Sequence, residues 1–396
     1  VSVAPHVEQW TQLVVRWAHV ITGIAWIGTS FYFNWLNSRI QPPATPEPGV
    51  GGELWSVHGG GFYRVVKYAV APARLPDTLH WFRWEAYATW WTGFTLLCLI
   101  YYVGARTWLV DPAVARIPVL AAVGIGLAAL ASAWLAYDLL CRSPLGRRPA
   151  VLGVALAGLV IGLAFGLTQV FSARGAFLHV GAALGTIMAA NVWRVIIPAQ
   201  RAMVAALAAG RTPDAARGAQ AALRSLHNNY FTLPVVFTMI GGHFPVTYGH
   251  SWSWAVLAGL FLAGVATRHW FNLKNQGRRN RWLLPAAALV IVALAVATAP
   301  PAPPATDGMP PSFAAARVVI AERCAPCHSA APTQPGITVA PAGAVFDTPE
   351  QMRAWAPRIR ERAVTARTMP LGNVTAMTDD ERALLGRWIA AGAALR

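Results

Sequence analysis

The chain has 396 residues, of which 12% are charged and 56% hydrophobic, with 18 tryptophans and a formal net charge of +16. That composition leaves long stretches without enough polar groups to face water, which excludes an ordinary soluble protein and points to a membrane. A nucleic-acid partner is excluded as well, because the arginines fall in the gaps between apolar runs and not along one face or stripe.

Taken in chain order, eight apolar runs are long enough to cross a hydrocarbon core of about 30 Å, which needs roughly 20 residues. They lie at 11–36, 86–104, 118–140, 150–170, 175–197, 230–247, 252–270 and 282–300. The first reads as an uncleaved span, since Glu8 sits where a signal peptide would be positive. After it, Trp55–Val70 has aromatic and β-branched residues around a glycine triplet, the pattern of a short hairpin. The segment Ala199–Leu226 reads as an amphipathic helix lying along the surface. Pro234 and the Gly241-Gly242 pair interrupt the sixth run, a break that neighbouring helices in a bundle can satisfy.

Lysine and arginine alternate between loops. One set of loops carries sixteen of them, including Arg39, Lys67, Arg142, Arg201 and Arg278, while the opposite set has Arg106, Arg116 and Arg174. The rich set is cytoplasmic by the positive-inside rule, so whatever follows the eighth run lies in the periplasm. Spans one to four and five to eight also read as a 4+4 repeat: Tyr87 matches Tyr230, Thr89 matches Thr232, Phe94 matches Phe237, Thr95 matches Thr238 and His19 matches His179. Chance identity between apolar segments competes with that reading.

Residues 1–300 are thus a transmembrane domain, 301–312 a proline-rich linker with the stiffness of polyproline, and 313–396 a separate domain of mixed charge. The last domain carries Cys324-Ala-Pro-Cys327-His328. Two thiols at this spacing, followed by an imidazole, form the motif that attaches a c-type haem, with Cys324 and Cys327 bonded to the porphyrin and His328 on the iron. A thioredoxin-like pair would need a βαβ context that is missing here. Of the later methionines, Met369 in Arg-Thr-Met-Pro-Leu-Gly-Asn is the expected sixth iron ligand, because Met352 falls on a predicted helix from Thr348 to Val364 and Met377 directly precedes a helix cap. Thr378-Asp-Asp-Glu381 is a capping box opening the last helix. Cys98 and Cys141 lie in or beside apolar runs, as small hydrophobes do. The sequence therefore predicts an all-α protein, an eight-span transmembrane helical bundle followed by a class I cytochrome c domain.

Ionisable groups inside a membrane are costly and by default mark function. His19, His179 and His243 fall in spans one, five and six near the periplasmic end. They are either axial ligands of a b-type haem or partners in hydrogen bonds between helices. At the cytoplasmic end a second polar group gathers, Trp84-Glu85, Asn191, Arg194, His227-Asn228-Asn229-Tyr230, Arg268 and His269, in which His227 to Tyr230 offer a lining for a small polar heterocycle.

With these residues assembled, the chain resembles the membrane-bound bacterial urate oxidases, or urate hydroxylases, in which an eight-span domain is fused to a cytochrome c domain. The likeness rests on Arg16 to Gly28 (RWAHVITGIAWIG), Val57 to Tyr63 (VHGGGFY), His227 to Phe237 (HNNYFTLPVVF) and the fused Cys324 to His328 motif. It implies oxidation of urate to 5-hydroxyisourate, with electrons passed to haem c and on to a soluble cytochrome or terminal oxidase. His227, Asn228, Asn229 and Glu85 are then the expected substrate contacts or proton acceptors. The span-one pattern, a histidine seven residues before Trp-x-Gly, is also similar to that of the bacterial membrane protoporphyrinogen oxidases and adds weight to haem b near His19. Two other readings compete: a b/c-type quinol-oxidising subunit with no organic substrate, and a transporter with a cytochrome appendage.

Overall fold

The computed structural model describes residues 3–72, 74–299, 311–335 and 337–395. The chain is mostly helical. Eight long helices occupy the region of the eight runs: α1 Val3–Arg39, α2 Trp84–Leu97, α3 Val119–Arg142, α4 Pro149–Thr168, α5 Ala173–Ala208, α6 Ala215–Gly241, α7 Ser253–Asn275 and α8 Leu283–Ala297. Four of them, α3, α4, α5 and α7, are long and apolar enough to cross a membrane, and α8 is a shorter apolar helix. Proline and small polar residues set the boundaries. Pro149 opens α4, where its missing N–H costs nothing, and the side chains of Ser172 and Asp214 accept backbone N–H groups at the starts of α5 and α6.

Two expectations about boundaries are corrected. The stretch Ala199–Leu226 is not one surface helix: α5 runs on through it to Ala208, and the chain turns at Gly210, with φ +67°, before α6 begins at Ala215. An alanine-rich helix end has no reason to stop before that glycine. The sixth helix is also earlier than expected. It keeps Pro234 inside but ends at Gly241, so the residues that follow, His243 among them, form an exposed turn beyond it.

The expected hairpin is present as β1 Val50–His58 and β2 Gly61–Tyr68, with Trp55 opposite Arg64 and His58 opposite Gly61. Gly59 and Gly60 both have positive φ, +55° and +81°, as a two-residue loop matched to strand twist demands. Arg64 ties the hairpin together through Glu47 and, at 2.6 Å, Glu53.

The bundle core is built from α2 to α7. Tyr137, Leu152, Phe171, Phe177 and Leu184 are almost fully buried in it, while Trp10, Trp17 and Ile24 of α1 point outward with more than half their surface exposed. The helix pairs α1–α2 and α5–α6 each pack side by side. Residues 300–310, most of the expected linker, lie outside the described residues. Beyond them α9 Phe313–Arg323, α10 Pro349–Ile359 and α11 Asp379–Ala390 enclose a second core around Ile320, Leu385 and Trp388. Burying side chains of this size contributes about 1.5–3 kcal/mol each. The helix expected to run to Val364 instead changes to a wider π turn over Arg360–Thr365.

Candidate functional site

At the end of the bundle where α2 begins and α3 ends, a cavity of about 710 Å³ is lined by Trp84, Tyr87, Trp134 and Trp193 together with Arg83, Arg142, Arg194 and Arg201. The size falls within the range of small-molecule pockets, about 300–1,000 Å³. Trp84 and Trp193 flank the Tyr87 ring at centroid distances of 6.0 and 5.7 Å. The indole N–H of Trp134 is buried and has no partner among the described residues. Of the four arginines, only Arg142 is held by a carboxylate there, Asp138 at 2.7 Å.

The backbone explains how Trp193 and Arg194 reach this cavity. Residues Val192–Ile196 form a π turn inside α5, and Ile197 donates to the Val192 carbonyl. Pro198 follows at once and has no N–H to give the Arg194 carbonyl, so the regular α pattern cannot run through. The extra residue in the turn shifts the faces that Trp193 and Arg194 present, and such turns concentrate at functional sites.

Behind the cavity wall lies a buried polar chain. Asp138 bridges Arg142 to Arg224, the latter at 2.7 Å, and the Arg224 guanidinium lies 4.9 Å over the Tyr137 ring. Asn191 Nδ2 donates to Tyr137 Oη at 2.9 Å, and the same hydroxyl meets His227 Nδ1 at 2.8 Å. Asn228 Oδ1 accepts from Asn191, and its amide donates to the Met188 carbonyl. Asn229 Oδ1 accepts from Arg268 and Asn272, while Tyr230 meets His269 Nδ1 at 2.6 Å.

None of the four residues expected to touch substrate lines the cavity. His227, Asn228 and Asn229 make helix-to-helix hydrogen bonds behind it, and the Asn229 amide nitrogen, like a Glu85 carboxylate oxygen, is buried without a partner among the described residues. The sequence signal for the cavity was the arginines themselves. Arg142 and Arg201 count as topology markers in a charge tally, and only their shared position with three tryptophans reveals a site.

The histidines at the other end separate into two kinds. His179 is fully buried; its Nδ1 is fixed by the Gly175 carbonyl at 2.8 Å, which leaves Nε2 with no partner and facing Gly126 of α3. A Cβ at Gly126 would stand 2.8 Å from that nitrogen and 2.9 Å from the unpartnered Tyr102 hydroxyl. His19 is tied through Nδ1 to the Thr89 carbonyl at 3.0 Å and faces Gly93 of α2. A ring nitrogen fixed by a carbonyl with its other nitrogen free is the arrangement of a metal-ligating histidine. His243 does not fit, since it sits in the exposed turn after α6. The three imidazoles therefore do not form one cradle at one depth.

In the C-terminal domain, Cys324 caps α9 and Cys327 and His328 follow in a turn closed by His328 N–H to the Cys324 carbonyl. His328 Nδ1 meets the Ala344 carbonyl at 3.0 Å, leaving Nε2 free, and its ring stacks on Phe346. Burial lowers the His328 pKa, which keeps the imidazole neutral, and burial pushes the Cys324 thiol up to about 12. Met352 and Met377 are buried in the domain core, whereas Met369 is half-buried and packs against that core, as Cys324 does. Its loop is held by Arg382, which donates to the Met369 carbonyl at 2.7 Å and to the Ala363 carbonyl, and by Asn373, bonded to both backbone groups of Met377. Two free thiols, a fixed neutral imidazole and one accessible thioether are the donor set that a covalent haem c requires.

Neither a curated protein nor a solved structure matches the chain. A protein family does, over residues 5–299, which takes in the hairpin and all eight long helices apart from the first two residues of α1. On that match the chain belongs to the urate oxidase N-terminal family.

Proposed function

We propose that this protein is a membrane-bound urate oxidase that delivers the electrons of urate to a covalent haem c. The observation that carries the reading is the cavity of arginines and tryptophans in a chain of this family. Urate is a flat anion at neutral pH, edged with carbonyl oxygens and N–H groups. Tryptophan faces suit its rings, and guanidinium groups suit its anionic edge through paired, charge-assisted hydrogen bonds. The reaction balances as urate plus water giving 5-hydroxyisourate, two protons and two electrons.

Arg194 and Arg201 hold the anion, and Trp193 and Trp84 orient its plane. Arg142, anchored on Asp138, joins the cavity to the Tyr137–His227 pair, which takes up a released proton at His227. Cys324, Cys327, His328 and Met369 are the residues that would hold haem c, which would supply a one-electron acceptor for a soluble cytochrome or terminal oxidase to empty. His19 and His179 are the residues that would hold a b-type haem between the cavity and the outer domain, where electrons have a core of about 30 Å to cross. In this reading α1, α2, α6 and α8 cross the membrane along with the four most apolar helices. The C-terminal domain lies in the periplasm, in keeping with its contact with the loops that carry Arg106 and the exposed turn after α6, on the arginine-poor side.

Membranes containing the protein, mixed with urate under argon, are expected to show reduction of the c-haem absorbance. Arg194→Ala is expected to raise the urate concentration for half-maximal rate about 10- to 100-fold, the loss of one charge-assisted hydrogen bond. An intact c-haem that urate leaves oxidised in the wild type removes the proposal.

A further inference from the structure

The C-terminal domain is seated on the bundle, and the seat is made by its Met369 loop. Gly372, with φ +55°, lies so close to the bundle that a Cβ there would stand 3.1 Å from the Val110 carbonyl oxygen and 3.5 Å from that of Arg106. On the other side of the contact, a Cβ on Gly249 would come within 2.7 Å of the Ala366 Cβ, and Arg362 donates to the His243 carbonyl at 3.3 Å. Two glycines at the closest points allow backbone to meet backbone, a distance side chains would forbid.

The bundle segment under this loop leads directly to His179. The Leu109 carbonyl accepts from Ser172 N–H at 2.8 Å, and the Ser172 hydroxyl donates to the Trp108 carbonyl at 2.8 Å while accepting from Gly175 N–H at 3.1 Å. The Gly175 carbonyl then holds His179 Nδ1. Covalent bonds and short hydrogen bonds thus connect a buried, free imidazole to the loop of the methionine, with no van der Waals gap before Gly372.

We infer that the contact of the Gly372 turn, three residues after Met369, with Arg106–Val110 is the electron exit of the bundle, and that Ser172 and Gly175 wire it to His179. The inference rests on the haem c and haem b readings above, because an imidazole carries no electron itself and His179 would act only by holding the b-type haem. The contact would pass the two electrons of urate one at a time, since a haem held by the outer domain would supply a one-electron acceptor that an external one-electron acceptor empties between them. Gly249 and Arg362 are positioning residues that set the distance and contribute nothing to haem ligation.

The test compares the wild type with Gly249→Leu on the bundle side and Arg362→Ala on the domain side, each as the full haem-loaded chain. After anaerobic mixing with urate, haem c reduction in both variants should slow severalfold, because electron transfer falls off steeply as the contact widens. Reduction by ascorbate, which reaches the haem from solution, should keep its wild-type rate, and haem staining and the methionine–iron absorbance band should be unchanged. Equal urate-driven rates in wild type and variants overturn the inference and leave the haem c reading standing. A parallel loss of the ascorbate rate also overturns it, because the contact then serves folding of the domain alone. A wild type without stainable haem, or not reduced by urate, removes the underlying reading and this inference with it.

Discussion

Arg323 and Glu381 illustrate how single residues fix the haem-motif domain. Arg323, the last residue of α9, donates to both carboxylate oxygens of Glu381 at 3.0 and 3.1 Å and to the Thr375 carbonyl at 2.9 Å. Glu381 in turn accepts from Thr378 N–H, completing the capping box of α11. The Arg323 guanidinium, with the Thr378 N–H behind it, holds the Glu381 carboxyl below its usual range. A lowered carboxylate pKa stabilises the fold fully above the unfolded value, about 4.3, and the contribution is lost as pH falls through the folded value. Acid titration of the intact protein, followed by circular dichroism in the haem region, should therefore show Glu381→Gln less stable at neutral pH, with a flatter acid limb than the wild type. An unchanged acid limb would deny the pair this role. Both residues of the capping box were legible in the sequence, whereas the arginine that closes on it comes from 58 positions away.

At the scale of elements, the π turn in α5 decides whether the cavity exists. Helical residues are offset by about 100°, so converting Val192–Ile196 to a regular α turn would rotate Trp193 and Arg194 off the cavity wall. Pro198→Ala restores the missing donor and removes the conflict with the preceding turn. The expected outcome is a thermal midpoint equal to or above the wild type, together with an apparent KM for urate raised about tenfold, the effect of misplacing contacts. A lowered midpoint with unchanged KM would show that the proline serves stability only. Nothing in hydrophobic periodicity announces a π turn, because the apolar pattern on either side continues. The hairpin was readable for the opposite reason, since three glycines in a row between β-branched and aromatic residues have few other uses.

For the whole molecule, the two ends of the bundle carry different chemistry. The arginine and tryptophan cavity lies at one end, and the His179 region with the docked Met369 loop at the other. A pyridine haemochrome spectrum of the purified protein should show a b-type signal besides the c-type one, and His179→Ala should lose the b signal while haem staining of the chain persists. A spectrum with c-type haem alone in the wild type would confine redox chemistry to the outer domain.

Composition and periodicity alone determined the helical, apolar character of the chain, and the order of residues displays Cys324-Ala-Pro-Cys327-His328. Each of these is a local property, written in residue types within a window of one helix or one turn. What the tertiary structure decided is which polar groups share a space. His227, Asn228 and Asn229 are neighbours in sequence, yet helical geometry sends them to different partners on three other helices, away from the cavity. Arg83, Arg142, Arg194 and Arg201 are scattered over more than a hundred positions and converge, because helix ends that are remote in sequence stack at one end of a bundle. His243 left the expected trio for a similarly physical reason: Gly241 and Gly242 end the helix before reaching it.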